Sequence, residues 1–151
     1  MAIDLALVNE IRVHVLESTG QTTLVPEAGE VGLGLGRPTS DVIEAFRLLA
    51  ANHVYVLEPG NPARLRMANP YSAVPSPFRV EAAGRTYFGN CIWDGLGIVS
   101  LLGGTGRVLT GCPDCQEPLE LVVDGHRLLP AEGVVHFAVP ARQWWDDIIH
   151  T

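Results

Sequence analysis

The sequence contains no lysine, few cysteines and no apolar run long enough to cross a membrane. All ten basic residues among its 151 are arginines, against seventeen acidic residues, so the formal net charge is −7. This negative charge opposes a large electrostatic contact with nucleic acid. No stretch of about eighteen apolar residues occurs, and no basic segment precedes an apolar one near Met1. We therefore expect a cytoplasmic protein with neither a membrane span nor a secretory signal.

The cysteine count points in the same direction. Three cysteines, an odd number, in a chain without an export signal favour free thiols in a reducing compartment over a disulfide framework. With 151 residues and a hydrophobic content of 47%, the chain can bury a real core. It is long enough for one ordinary domain, or for a small domain joined to a second one.

The first half of the chain reads as three helices followed by a hairpin. Apolar residues at helical spacing predict a first helix over residues 3–18, with a stop at Gly20, and a short second helix over residues 26–35. A third helix is predicted to start after the capping candidates Thr39, Ser40 and Asp41. Alternating residues predict strands at 54–57 and 63–67, around a turn at 58–62. This order predicts a winged-helix-like domain over residues 1–68.

A winged helix raises the question of DNA binding, because its third helix can enter a major groove. Between Thr39 and His53 the only basic residue is Arg47, beside Asp41 and Glu44. Such a helix could neutralise few phosphates. A role as a packing or lid module is therefore favoured, and nucleic acid is not an expected partner.

The second half begins after a proline-rich stretch. Residues 69–77 contain three prolines and are predicted to be an extended linker, which leaves residues 78–151 as a second domain. A second hairpin is predicted at 78–82 and 85–88, followed by a helix from Cys91 to near Gly103, and strands at 107–110, 119–123 and 134–139. Residues 140–149 are predicted to form a closing helix or turn. The fold class expected for the chain is therefore α+β, with antiparallel strands.

The candidate reactive residues are Cys91 and Asp94. They follow the turn-forming pair Gly89-Asn90 and precede an apolar run, which would place both on the first turn of a helix. There the helix dipole and the unpaired N–H groups favour a thiolate, so Cys91 is a candidate nucleophile or soft-metal ligand. Asp94 would lie on the same face and could hold or relay a proton. The alternative is a buried cysteine beside a carboxylate that merely favours the helix dipole.

The other two cysteines form a Cys112-x-x-Cys115 motif between two predicted strands. This spacing suits zinc, but a structural site needs four ligands, and only His126 and His136 could complete one. A redox pair would be expected at a strand-to-helix junction, which is not predicted here. The favoured interpretation is that Cys112 helps to shape a turn, while the role of Cys115 stays open.

Taken together, these motifs resemble the organomercurial (alkylmercury) lyase family over nearly the whole chain. The resemblance rests on the winged-helix-like first half and on the segments Asn69–Phe78, Asn90–Asp94, Cys112 and Trp144–Ile149. It implies a second domain of repeated strand-strand-helix-strand units, a mercury-binding role for Cys91 and a proton-handling role for Asp94. It also implies that Cys112 is structural.

The implied chemistry is protonolysis of a carbon–mercury bond. A thiolate outcompetes oxygen and nitrogen ligands for soft mercury, and a nearby carboxylic acid can then deliver a proton to carbon. Trp93 and its apolar neighbours could exclude water and raise the pKa of Asp94, although Trp93 is also a candidate core residue. Mercury enters as part of the substrate and product, and no cofactor is expected.

One departure from the family is evident. The family mechanism uses a second, C-terminal mercury-binding cysteine, and this sequence has none after Cys115. The chain is therefore either a shortened version of a longer protein or a member in which an external thiol, Cys112 or Cys115 supplies the missing ligand. Three functions stay open: a lyase acting on a small organomercurial, a protein that binds mercury(II) or copper(I) through its thiols, and an enzyme acting on an organic substrate. A transcriptional regulator is least favoured.

Overall fold

The first half of the protein contains three helices. The computed structural model describes residues 4–150, so Ile3, included in the predicted first helix, lies outside it. The helices are α1 (Leu5–Thr22), α2 (Ala28–Leu35) and α3 (Thr39–Ala51). The predicted stop of α1 at Gly20 is wrong, because the helix continues to Thr22 and ends where Thr23 adopts a left-handed φ of 69°. Gly20 instead lies where α1 meets the second half, and a Cβ there would lie 3.3 Å from Leu102 Cδ2.

The predicted side-chain caps of α3 are not used. Pro38 occupies the N-cap position without a side-chain hydrogen bond, and Asp41 lies inside the first turn, where its charge favours the helix dipole. The short helix α2 forms in spite of its glycines, and at two of them, Gly32 and Gly34, a close contact leaves no room for a Cβ. A Cβ on Gly32 would lie 2.8 Å from the Arg37 carbonyl oxygen, and one on Gly34 would lie 2.8 Å from the His14 ring.

A three-stranded antiparallel sheet follows the helices, in the order β1 (Tyr55–Glu58), β2 (Asn61–Ala68) and β3 (Tyr71–Ser72). The predicted hairpin is present, with a tighter turn than expected, since Glu58 pairs directly with Asn61. Strand β3 lies inside the predicted linker, where two residues pair with β2 instead of remaining free. The winged-helix assignment and the domain boundaries at residues 68 and 78 stay predictions.

The second half is built on a five-stranded antiparallel sheet. Its strands are β4 (Arg79–Ala82), β5 (Arg85–Phe88), β6 (Thr105–Gly111), β7 (Pro118–Asp124) and β8 (Arg127–Leu129), in the order β5-β4-β6-β7-β8. Helix α4 (Ile92–Leu101) packs on β4 and β6. The combination of helices with antiparallel sheets agrees with the predicted α+β class.

One sequence prediction for this half is wrong. Residues 134–139 form no strand, because the edge next to β7 is occupied by β8, which the sequence analysis missed, and Val134 is 92% exposed. The segment 140–149 forms a short 3-10 helix, Ala141–Asp146, followed by a turn, which agrees with the predicted closing helix or turn. Apolar alternation alone does not make a strand when no neighbouring edge is available to pair with it.

The two halves have separate hydrophobic cores that meet at α1. The first core lies between the three helices and the small sheet, and the second lies between α4 and the large sheet. Val25 packs against both cores, and the Tyr87 hydroxyl donates a 2.7 Å hydrogen bond to the Gly20 carbonyl. No helix within residues 4–150 is long and apolar enough to cross a membrane.

Candidate active site

Cys91 and Asp94 lie at the start of α4, as the sequence predicted. Cys91 is the N-cap residue and Asp94 is in the first turn of the helix. The turn before them is tight, because a Cβ on Gly89 would lie only 2.7 Å from the Gly95 backbone nitrogen. Only glycine at position 89 lets strand β5 pass this closely into the helix, so the turn fixes where the thiol and the carboxyl project.

The predicted thiolate character of Cys91 is not what the structure shows. Burial of the half-buried thiol raises its pKa, and this effect outweighs the backbone N–H groups of Asp94 and Trp93, which lower it. Neither N–H makes a capping hydrogen bond of good geometry to the side chain. The backbone N–H groups at the start of α4 favour the thiolate, but the cost of removing a thiolate from water is larger.

Asp94 also has a raised pKa, and the main cause is again burial. Hydrogen bonds from the side chains of Asn90 and Cys91, and from their backbones, favour the carboxylate and partly offset that rise. The Cys91 thiol and the Asp94 carboxyl affect each other directly: the thiol lowers the pKa of Asp94, and the carboxyl raises that of Cys91. Burial disfavours the charged forms of both groups.

Asn90 and Asn69 also belong to the site and were not identified from the sequence. The Asn90 amide donates to Asn69 Oδ1 at 3.1 Å and, more weakly, to the carbonyls of Pro70 and Tyr71. These bonds tie the turn before α4 to the chain that leaves the small sheet. From the sequence, Asn90 was identified only as a turn-forming residue. Nothing in the local pattern indicated that Asn69 would be its hydrogen-bond partner.

A cavity of about 380 Å³ opens in front of this pair. Its walls come from three parts of the chain: the end of the small sheet, the start of α4 and the C-terminal segment. The lining residues are Met67, Asn69, Asn90, Cys91, Trp93, Asp94, Phe137, Trp144, Trp145, Ile148 and Ile149. A cavity that is mostly apolar and aromatic, with one thiol and one carboxyl, is typical of a small-molecule site.

Aromatic contacts hold the C-terminal segment over the cavity. The rings of His53 and Trp145 stack with centroids 4.2 Å apart and planes 7° from parallel, and Phe137 contacts Trp144 at 4.8 Å. Trp144 Nε1 also donates to the Val139 carbonyl. Trp93 is 57% exposed, so the suggestion that it is a core residue is wrong, and it lies instead at the cavity wall.

Cys112 and Cys115 are not among the residues that line this cavity. They lie in the turn between β6 and β7, where the backbone N–H groups of Cys115 and Asp114 lower the pKa of Cys112. Within residues 4–150, no three His, Cys, Asp or Glu side chains are grouped closely enough to hold a metal ion. His126 and His136 therefore do not complete a zinc site with the two cysteines.

The fold and the site together define a class: an α+β protein with a thiol and a carboxyl paired beside an apolar cavity. Residues 71–151 match the alkylmercury lyase family (MerB), which is more than half of the chain, and the protein belongs to this family. The family resemblance inferred from the sequence is thereby confirmed.

Among solved structures, the fold is similar to the mercury-bound form of MerB2. The TM-score is 0.65 at 20% sequence identity, and the match covers 83% of this chain and 59% of that one. Identity at this level supports the fold alone, and the chain spans well under two thirds of that structure. No curated protein matches the chain.

Proposed function

We propose that the protein is an organomercurial lyase that cleaves carbon–mercury bonds by protonolysis. The observation that carries this proposal is that a thiol, Cys91, and a carboxyl, Asp94, lie together at the start of α4 and line the same apolar cavity. Family membership supports the same reaction. Cys91 is the proposed mercury-binding residue, and Asp94 is the proposed proton carrier.

In the first step, Cys91 sulfur binds the mercury of an R–Hg⁺ substrate. The thiol proton passes to the nearby Asp94 carboxylate, so the S–H bond is replaced by an S–Hg bond and Asp94 becomes a carboxylic acid. Since the pKa of Cys91 is raised by burial, a direct acceptor for its proton matters more here than at an exposed thiol. Asp94, which lines the same cavity, is the proposed acceptor.

In the second step, the carbon–mercury bond breaks. Its electron pair stays with carbon and takes the proton from Asp94, which releases R–H, regenerates the carboxylate and leaves mercury(II) on Cys91. Burial raises the pKa of Asp94 and makes its protonated form easier to maintain near neutral pH. The apolar walls would hold the organic group R and exclude water from the reacting atoms.

The N-terminal half contributes to this site by packing. Met67 and Asn69 come from the small sheet and its exit, and His53, directly after the helical part, stacks on the C-terminal segment. These contacts favour the role of a structural wall over that of a DNA reader. Release of mercury(II) from a site with a single thiol is expected to require an external small thiol.

The proposal is tested by measuring benzene release from phenylmercuric acetate with excess small thiol. Wild type is compared with Cys91→Ser and Asp94→Asn, two substitutions close in size to the original residues, and with Cys112→Ser/Cys115→Ser as a matched thiol control. We expect release by wild type and by the control, and loss in both site variants. Absence of benzene from wild type would disprove the lyase.

One observation favours a second function. Among the described residues that line the cavity, Cys91 is the only thiol, so a second thiolate to activate the carbon–mercury bond is not among them, whereas one thiolate can bind mercury(II) or copper(I). Stoichiometric metal binding that depends on Cys91, without any benzene release, would identify the protein as a soft-metal binder of the same fold.

A further inference from the structure

The proposed reaction places a soft metal beside Cys91, and a second sulfur atom, that of Met67, belongs to the lining of the same cavity. Met67 lines the same cavity as Cys91 and Asp94. It is only half-buried and belongs to neither hydrophobic core, although its strand neighbours Leu65 and Ala68 are buried in the first one. The packing of the core therefore does not account for a methionine here.

An irregularity in strand β2 turns Met67 toward the cavity. Val56 pairs with Met67 and the next residue, Leu57, pairs with Leu65, so Arg66 is an extra residue on β2. In a regular strand Met67, two positions after Leu65, would face the core together with Leu65. Because of the bulge, Ala68 takes the core side and Met67 faces the opposite way. Bulges beside active sites commonly redirect a side chain in this manner.

The chemistry of the two sulfur atoms is complementary. A thiolate binds a soft cation strongly, and a thioether is a neutral soft donor that requires no deprotonation. Among the described residues, 4–150, that line the cavity, only Cys91 and Met67 have sulfur in their side chains. The remaining polar ligands are amide and carboxyl groups, which a soft metal binds less well.

We propose that Met67 is the second soft ligand of the site, donating a sulfur lone pair to the mercury held on Cys91. This inference rests on the proposed function. No proton moves and nothing is oxidised: the Met67 lone pair forms an additional Hg–S bond, which raises the electron density on mercury and weakens its bond to carbon. After R–H leaves, mercury(II) is held by the Cys91 thiolate and the Met67 thioether.

The test uses the full chain with Cys112→Ser/Cys115→Ser, so that Cys91 is the one remaining thiol. Selenomethionine replaces methionine, which occurs only at positions 1 and 67. One equivalent of mercuric chloride is added, and X-ray absorption at the mercury and selenium edges reports Hg–S and Hg–Se contacts. Met67→Leu in the same background is the control, because leucine keeps a similar volume and lacks the donor atom.

We expect one Hg–S and one Hg–Se contact, loss of the Hg–Se contact in Met67→Leu, and mercury affinity lowered roughly tenfold in that variant, or about 1.4 kcal/mol. Mercury on Cys91 without selenium would overturn the role of Met67 and leave the lyase proposal standing. An Hg–Se contact that persists in Met67→Leu would also overturn it, since it would arise from residue 1. Failure of Cys91 to hold mercury would overturn both.

Discussion

For each cysteine, the balance between burial and hydrogen bonding sets the pKa of the thiol and therefore its reactivity. Burial raises the pKa of Cys91, whereas the turn N–H groups of Cys115 and Asp114 lower the pKa of Cys112. The thiolate is the reactive form of cysteine. Cys112 should therefore react faster than Cys91, although Cys91 is the residue at a helix N-terminus.

We therefore predict that iodoacetamide modifies Cys112 before Cys91 at neutral pH. The difference should shrink as the pH rises toward and past the ordinary thiol pKa, where Cys91 also ionises. Peptide mass spectrometry after short exposures at several pH values measures both rates in the same sample. Faster labelling of Cys91 at pH 7 would show that the helix terminus prevails over burial.

Asp94, the proposed proton carrier, should lower the stability of the protein at neutral pH. Its folded pKa is raised, so the ionised form is disfavoured by folding: the stability associated with the protonated group is present below the unfolded pKa and is lost as the pH rises through the folded pKa. Asp94→Asn cannot ionise. We predict a higher Tm than wild type at neutral pH, with no difference near pH 3.

The same variant should lose benzene release by about a hundredfold or more, the usual contribution of a positioned acid–base group. Thermal unfolding and activity are measured on one preparation. Asp124→Asn, at the end of β7 away from the cavity, is the matched control and should change neither quantity appreciably. A wild-type Tm at neutral pH equal to or above that of Asp94→Asn would contradict the burial argument.

At the scale of elements, the position of α4 depends on glycines whose surroundings differ. A Cβ at Gly95 would lie 3.0 Å and 3.2 Å from the two Val108 methyl groups, whereas one at Gly97 would lie 3.8 Å from Pro70 Cβ, an ordinary contact. Both residues are inside the same helix, so the gain in helix propensity from alanine is the same for each. The difference between the two substitutions isolates packing.

We predict that Gly97→Ala stabilises the protein by about 0.5–1 kcal/mol, and that Gly95→Ala destabilises it by about 1–3 kcal/mol through overpacking. Gly95→Ala should also reduce activity, because moving α4 off the sheet moves Cys91. Urea unfolding and benzene release measure the two effects. Equal changes in the free energy of unfolding at both positions would mean that α4 can move away from Val108 without loss of stability.

These elements show how far the sequence alone could reach. The two hairpins, α2, α3 and the site at the start of α4 follow from local periodicity and turn residues, and all were predicted. Strand β8 and the absence of a strand at 134–139 depend on which edge the chain pairs with, which local alternation does not encode. The end of α1 was missed for a similar reason, because Gly20 is held in the helix by packing against the second half.

The candidate site likewise has features that follow from the local sequence and others that depend on the fold. The placement of Cys91 and Asp94 at the start of α4 could be predicted from their spacing, because it depends on one turn of one helix. The orientation of Met67 depends on a bulge, and the partner of Asn90 is about twenty residues away in the chain. The sign of the Cys91 pKa shift also depends on burial in the folded protein, so a local argument gave the wrong direction.

At the scale of the whole molecule, the cavity exists because distant segments close over α4. The C-terminal residues Phe137, Trp144 and Trp145 form one side, and the stacking of Trp145 on His53 links that side to the N-terminal half. His53 does not line the cavity, and its backbone is left-handed with φ at 61°. Its ring therefore contacts the C-terminal segment from outside the cavity.

Loss of this stack should loosen the cavity without altering its chemistry. We predict that His53→Asn, which tolerates a left-handed backbone, raises KM for phenylmercuric acetate between about twofold and tenfold, the effect of the 0.5–1.5 kcal/mol that an aromatic pair contributes. His53→Phe keeps a ring and should stay closer to wild type in KM than His53→Asn, at a cost in stability because a bulky residue is strained at the left-handed φ of position 53. Trp145→Ala should produce a larger rise, because it removes both the stack and part of the wall.

The double variant His53→Asn/Trp145→Ala decides whether the two residues act together. If the stack holds the segment, the double variant should be no worse than Trp145→Ala alone, since His53 then has no ring to contact. Steady-state kinetics with phenylmercuric acetate and external thiol provide the four KM values. Fully additive effects would show that His53 acts elsewhere and that the C-terminal segment closes over Cys91 and Asp94 without support from the N-terminal half.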